Sequence, residues 1–131
     1  MGEIGSLLLA STDPDRLRDW YECAFRVRPD VDGFLPFGAV GVLIVSRDDV
    51  ADRNPEPGRI ILNVHVEDAG VTVRHLDAMD VTWIAPLEYR EPDGAWFATM
   101  LDPAGNYVQI IELTDAYWRA RRLRQGDSIV D

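Results

Sequence analysis

Lysine is absent from this chain of 131 residues, and cysteine occurs once, at Cys23. Without lysine, the chain cannot form a Schiff base or use a P-loop lysine or a lysine general base. A single cysteine excludes an internal disulfide framework and any multi-cysteine zinc or iron–sulfur site. No apolar run approaches the roughly 18 residues of a membrane span, and the N-terminus does not resemble a signal peptide. We therefore expect a cytoplasmic protein with no membrane partner.

Negative charge dominates the composition. The chain has 23 acidic residues against 13 arginines, which gives a net charge of −10. This charge repels the phosphates of nucleic acids, so we expect no nucleic-acid partner, and it helps to attract a cationic small molecule. The length fits one domain of about 100–200 residues. The apolar fraction of 47% is ordinary for a folded chain with a core.

A pattern of strand, helix and three further strands occurs twice along the chain. It predicts a first module over about 3–46, a linker over about 47–58 that is rich in proline and charge, and a second module over about 59–113. A C-terminal helix is expected over about 114–125, and its arginines favour packing on the acidic body or on a second subunit. The predicted elements are strands at 4–11, 34–37, 40–46, 59–66, 81–86, 88–90, 95–101 and 107–113, and helices at 14–25 and 69–79.

The stretch from Phe97 to Ile110, which contains the turn Asp102-Pro103-Ala104-Gly105-Asn106, joins the last two predicted strands. In that turn, proline fixes φ and glycine can take a positive φ. Together with the doubled pattern, this stretch resembles the vicinal oxygen chelate superfamily, which contains glyoxalase I, extradiol dioxygenases, and fosfomycin- and bleomycin-resistance proteins. The resemblance covers about residues 4–113. It implies an α+β fold in which two βαβββ modules form a cleft-enclosing mixed sheet, within a single domain 1–131 that ends in an added helix.

The resemblance also implies where a metal would bind, on the inner faces of four strands. Those positions fall on Ser6, Ile61 and Gln109, and the strand 40–46 contains no acid or histidine. Divalent metals need several anionic or imidazole ligands at about 2.0–2.2 Å. The residues present do not supply them, so we expect no metal and no other cofactor.

Strand alternation predicts which side chains line the cleft. If Ile61 faces the cleft, Asn63 and His65 do as well. His65 is either a hydrogen-bonded residue of the pocket wall or a general base near pH 7. Trp83 can stack on an organic ligand. The predicted ligand-binding residues are Ser6, Leu8, Ile61, Asn63, His65, Trp83, Gln109 and Ile111.

Three functions are compatible with these residues. The first is a metal-independent protein that binds an organic ligand, cationic or aromatic, in an apolar cleft. The resemblance to the bleomycin-resistance branch implies this function and a homodimer. The second is an enzyme of the glyoxalase/lyase, isomerase or dioxygenase type, with His65 as base or with an unrecognised metal. The third is an assembly or regulatory module whose pocket is vestigial.

Overall fold

The computed structural model describes residues 1–126, which form two compact units. The first unit contains Met1–Ile60 and also Leu101–Asn106. The second contains Ile61–Met100 and the described residues from Tyr107 onward. The described chain has three helices and two sheets, which confirms the α+β class.

The elements are numbered in chain order. The strands are β1 (Ser6–Ser11), β2 (Leu35–Phe37), β3 (Val40–Ser46), β4 (Leu62–His65), β5 (Thr82–Arg90), β6 (Ala95–Leu101) and β7 (Tyr107–Leu113). The helices are α1 (Pro14–Phe25), α2 (Ala69–Ala78) and α3 (Asp115–Arg124). No helix within residues 1–126 is both long enough and apolar enough to cross a membrane.

The first unit is a mixed sheet with α1 packed against β1 and β3. The strand order is β1-β3-β2, with β1 parallel and β2 antiparallel to β3. The helix begins at Pro14, a residue that suits a first helical turn, and the Asp13 carboxylate accepts a hydrogen bond from the backbone N of Arg16. It buries Leu17 and Tyr21, at the four-residue spacing that predicted it.

The first unit has two strands after its helix, and both lie where the sequence predicts strands, at 34–37 and 40–46. This is one strand fewer than the three of the doubled pattern. The segment between α1 and β2 forms turns and irregular backbone. Asp30 lies at the centre of this segment, and its carboxylate accepts hydrogen bonds from the backbone N atoms of Asp32 and Phe34. An aspartate that bonds backbone groups two residues on stabilises a turn in place of a strand ladder.

The second unit is a mixed sheet of four strands with the order β4-β7-β6-β5. Two carboxylates cap the N-terminus of α2. Asp68 accepts from the backbone N of Val71, and Glu112 of β7 accepts from the backbone N of Ala69 at 2.8 Å. This negative charge is favourable at the positive end of the helix dipole. The core of the unit contains the fully buried side chains Leu76, Met100, Val108 and Ile110.

Two strand boundaries of the second unit differ from the sequence prediction. The segment 59–61 is not part of β4, which begins at Leu62. The predicted strands 81–86 and 88–90 are one continuous strand, β5. Pro86 does not interrupt β5 because this strand lies at the edge of the sheet, where a residue without an N–H group is tolerated.

Candidate functional site

Three polar side chains share the face of the second sheet that points away from α2, which we call the distal face. Strands β4 and β7 pair in parallel, with Asn63 opposite Gln109 and His65 opposite Ile111. Glu112, one residue along β7, contacts α2, so the odd-numbered residues of β7 project to the other side. Neighbouring strands lie about 4.8 Å apart. Asn63, His65 and Gln109 therefore form one adjacent group of amide and imidazole donors and acceptors.

The Gln109 side chain is held in place by β6. Its Nε2 donates a 3.3 Å hydrogen bond to Oγ1 of Thr99, a buried residue of that strand. This orientation leaves the amide oxygen of Gln109 as an acceptor on the distal face. Sequence reasoning did not identify Thr99. The sequence contains a signal for this pair, because residues 99 and 109 are each five positions from Ala104, the centre of the turn that joins β6 and β7.

His65 and Asn63 are exposed, and so is Ile61, an apolar neighbour that precedes β4 and is 41% exposed. Within residues 1–126, the His65 imidazole has no hydrogen-bond or ion-pair partner. A histidine that acts as a general base is usually oriented by a carboxylate or carbonyl. The described residues provide no such group to His65, so its geometry suits ligand contact better than proton transfer.

Two predicted residues of the second unit are placed less favourably. Trp83 donates its indole N–H to Oδ1 of Asp77 in α2 at 2.8 Å, so it lies on the helix-covered face of the sheet. Ile111 is only 6% exposed, and little of its side chain is accessible to a ligand. Of the predicted residues in this unit, Ile61, Asn63, His65 and Gln109 are therefore the ones a ligand can reach.

Ser6 and Leu8 belong to the first unit, on the face of its sheet that points away from α1. Leu8 pairs with Leu43 of β3 in a parallel ladder. Leu8 is 61% exposed, an unusual exposure for an apolar side chain in the middle of a strand. This face is apolar apart from the Ser6 hydroxyl at its edge.

The Asp-Pro-x-Gly-Asn turn has a structural role in the first unit. The backbone N of Asp102 donates to the carbonyl of Asn106, and Gly105 takes a φ of +80°. Although β6 and β7 carry this turn, it is part of the first unit. Its contacts there are to α1 and to the segment between β3 and β4.

The positions at which the resemblance implies metal ligands carry no carboxylate or imidazole. Ser6 offers a hydroxyl, Gln109 an amide that is already bonded to Thr99, and Ile61 no donor atom. Strand β3 contains no carboxylate or imidazole. Among residues 1–126, no group of three or more histidine, cysteine or acidic side chains is arranged to hold a metal ion. Neutral oxygen donors alone are a poor set for a catalytic divalent ion.

Comparisons with known structures identify the fold. A glyoxalase/bleomycin resistance protein/dioxygenase family enzyme from Burkholderia phytofirmans superposes with a TM-score of 0.72 at 14% identity, covering 86% of this chain and 100% of that one. The chain has the vicinal oxygen chelate fold. A glyoxalase-related enzyme from Fulvimarina pelagi gives 0.70 at 16% identity, covering 86% and 88% of the two chains. Lactoylglutathione lyase from Agrobacterium tumefaciens gives 0.62 at 21% identity, covering 90% and 97%.

Sequence comparisons add nothing more specific. No family model matches the chain, and no curated protein matches it. At these identities the structural matches establish the fold alone, because one fold supports many functions.

Proposed function

We propose that this protein is a cytoplasmic small-molecule binding protein, in which the distal face of the second sheet binds an organic ligand without a metal. The observation that carries the proposal is the register that sets Asn63 and His65 of β4 beside Gln109 of β7. Two amides and an imidazole on adjacent strands, next to the exposed side chain of Ile61, combine directional hydrogen bonds with apolar contact. Small-molecule sites typically have this composition.

The charge of the chain favours a cationic aromatic ligand. The net charge of −10 raises the local concentration of cations around the protein. The Gln109 amide oxygen accepts hydrogen bonds from N–H donors, and the exposed His65 ring provides a flat surface for stacking. A ligand with a positive charge, N–H groups and a planar ring satisfies all three features.

The proposal that binding needs no metal is supported by the side chains at Ser6, Ile61 and Gln109, which offer a hydroxyl, no donor atom and an amide. Two of the similar structures are described as a glyoxalase/bleomycin resistance protein/dioxygenase family enzyme and as a glyoxalase/bleomycin resistance protein/dioxygenase. A binding function agrees with the missing carboxylates better than a metal-dependent reaction does.

Two aromatic probes of opposite charge test the proposal. Ethidium is cationic with exocyclic amines, and 8-anilinonaphthalene-1-sulfonate is anionic. Isothermal titration calorimetry on the wild-type protein should give ethidium binding at least about tenfold tighter than binding of the sulfonate. Equal or reversed affinities would contradict the cationic preference.

The position of the site is tested by removing its exposed polar groups. Asn63→Ala combined with His65→Ala should weaken ethidium binding at least about tenfold, because each lost hydrogen bond or ring contact contributes about 1 kcal/mol. His75→Ala, on α2 at the other face of the sheet, is the control for the loss of an imidazole. Undiminished binding by the double variant would assign the ligand to another surface.

Ser6 and Leu8 remain predicted ligand contacts on the first sheet, and Leu8→Ser tests them separately. A weaker affinity for ethidium with unchanged thermal stability would include Leu8 in the binding surface. An unchanged affinity would show that Leu8 is not part of the binding surface. Turnover of a hemithioacetal or a catechol that His65→Ala abolishes would replace the binding function by an enzymatic one.

A further inference from the structure

A phenylalanine and an arginine meet on the distal face of the second sheet. Thr99 of β6 bonds Gln109 on this face, so the other odd-numbered residues of β6, Phe97 among them, project to the same side. The guanidinium of Arg90, at the end of the neighbouring strand β5, lies over the Phe97 ring, with Cζ 4.3 Å from the ring centroid. Phe97 is half-buried, and Arg90 is exposed. An aromatic ring of the distal face therefore already holds a planar cation.

A carboxylate of β5 is the second group that contacts this cation. Nε of Arg90 donates a 3.1 Å hydrogen bond to Oε1 of Glu88. Trp83, an odd-numbered residue of β5, points toward α2, so the even-numbered residues Glu88 and Arg90 point away from that helix. A ring and a carboxylate on the distal face thus hold one guanidinium between them. We call Phe97 and Glu88 the cation subsite.

The cation subsite lies in the same row of the sheet as one of the proposed ligand contacts. The bond between Thr99 and Gln109 marks the register of β6 and β7, which a tight turn joins, and this register sets Phe97 opposite Ile111. Ile111 is opposite His65 of β4. His65 and Phe97 are therefore two strand spacings apart, about 10 Å. A fused polycyclic cation is long enough to contact both.

We propose that the cation subsite binds the positive group of the ligand, and that Arg90 occupies this subsite until the ligand displaces it. The inference rests on the proposed function, because it assigns the charged end of a ligand bound to the same face. The Arg90 guanidinium stacks on a ring and bonds a carboxylate, and a ligand that replaces it makes the same two contacts. The ligand class is therefore a planar, delocalised cation with N–H donors: a guanidinium, an amidinium or an amino-substituted heteroaromatic cation.

The contacts that hold Arg90 are weak enough to be exchanged. Its side chain is 43% exposed, and that of Glu88 is 62% exposed. Ion pairs and cation–π contacts at such positions contribute little to stability, because water screens the charges and the long side chain loses freedom. A ligand that makes both contacts and also reaches His65 binds in place of the guanidinium. Arg90 thus acts as a tethered competitor that raises the affinity a cation needs to enter the site.

Removal of the competitor tests the proposal by calorimetry. Arg90→Ala should bind ethidium at least about fivefold more tightly than the wild type, because no guanidinium has to leave the ring. Arg47→Ala is the matched control, since Arg47 is also an exposed arginine that bonds a carboxylate two positions away, at Asp49. Each substitution changes the net charge from −10 to −11, so the general attraction of cations is equal. The control should bind ethidium within about twofold of the wild type.

Two variants in the Arg90→Ala background test the cation subsite itself. Phe97→Leu removes the ring and Glu88→Gln removes the charge, and each should weaken ethidium binding at least about fivefold. Their controls are Trp96→Leu, which removes a ring on the opposite face of β6, and Asp49→Asn, which removes an exposed carboxylate elsewhere. Both controls should stay within about twofold of the background. Glu88 is exposed, so Glu88→Gln decides the test if the loss of the half-buried ring unfolds the protein.

The outcomes separate this inference from the proposed function. If the wild type binds ethidium and Arg90→Ala binds it no more tightly than Arg47→Ala does, the displacement of Arg90 is overturned and the binding function stands. A tighter binding that Phe97→Leu and Glu88→Gln both leave unchanged would overturn the cation subsite in the same way. The absence of ethidium binding in the wild type and in every variant would overturn both proposals.

Discussion

The hydroxyl of Tyr21 in α1 donates a 2.7 Å hydrogen bond to Oδ2 of Asp102, 81 positions further along the chain. Both residues are buried, at 1% and 4% exposed. The carboxylate also accepts from the backbone N atoms of Ala104 and Asn106 and from Nδ2 of Asn106. Asn54 extends the network, because its Nδ2 donates to Oδ1 of Asn106. Neutral donors thus satisfy a buried carboxylate and attach the turn between β6 and β7 to the first unit.

Removal of the Tyr21 hydroxyl should destabilise the protein. We expect Tyr21→Phe to lower the free energy of unfolding by about 1.5–3 kcal/mol, since the lost hydrogen bond is made to a buried carboxylate. The aromatic contact with Phe25 does not need the hydroxyl. Tyr89→Phe is the control, because Tyr89 is partly exposed and contacts Trp96 through its ring. Tyr89→Phe should change the free energy of unfolding, measured by urea denaturation, by less than about 0.5 kcal/mol. Equal losses in the two variants would show that the hydrogen-bond network does not stabilise the protein.

The contact between Tyr21 and Asp102 predicts that the stability of the protein depends on pH in the alkaline range. Burial, aided by the charge of Asp102 and the hydrogen bond to it, raises the pKa of Tyr21 well above its usual value of 10. The folded protein keeps this phenol protonated at a pH where the unfolded chain ionises it. The stabilising contribution is therefore complete below pH 10 and is lost as the pH rises above it. Wild type should lose stability more steeply than Tyr21→Phe above about pH 10, and parallel curves would contradict this.

Alanine substitutions at two glycines with nearly the same φ distinguish the cost of backbone strain from the cost of a steric clash. Gly94 and Gly38 have φ values of +66° and +65°, but of the two only Gly94 has backbone atoms within 4 Å of the position that a β-carbon would take. Gly38→Ala should destabilise by about 1–2 kcal/mol, the usual penalty of a left-handed conformation for alanine. Gly94→Ala should cost clearly more, because α3 has to move away from the turn. Thermal unfolding measures both, and equal losses would mean that α3 is not held by this contact.

Gln109 and Thr99 should be energetically coupled. Gln109→Leu leaves the buried Thr99 hydroxyl without its partner, so we expect a loss of about 1–2 kcal/mol in the free energy of unfolding. In a Thr99→Val background the same substitution should cost about 1 kcal/mol less, since no hydroxyl is left unpaired. A double-mutant cycle by urea denaturation measures the difference. Additive losses would show that the hydrogen bond does not orient the Gln109 amide.

Local patterns predicted much of the fold. Pro14 and the spacing of Leu17 and Tyr21 gave the bounds of α1, and the bounds of β3, β6 and β7 also coincide with the predicted strands. These elements are set by residues close in sequence, through capping and alternation. The Asp-Pro-x-Gly-Asn turn is local in the same sense.

The remaining features depend on distant partners. The sequence does not indicate that Tyr21 bonds Asp102, that Glu112 caps α2 across 43 positions, or that Trp83 turns toward Asp77. Alternation predicted the shared face of Asn63, His65 and Gln109. It did not predict that Ile111 is buried, because the burial of a side chain depends on packing that periodicity does not encode.

The measurement that tests the central claim most directly is an ethidium titration by calorimetry, run once with EDTA and once with excess Zn²⁺. Binding by the distal face without a metal predicts one ethidium per chain and dissociation constants that agree within about twofold. Binding that disappears with EDTA and returns with Zn²⁺ would show that the protein needs a metal. That result would contradict the account, and so would the absence of binding under both conditions.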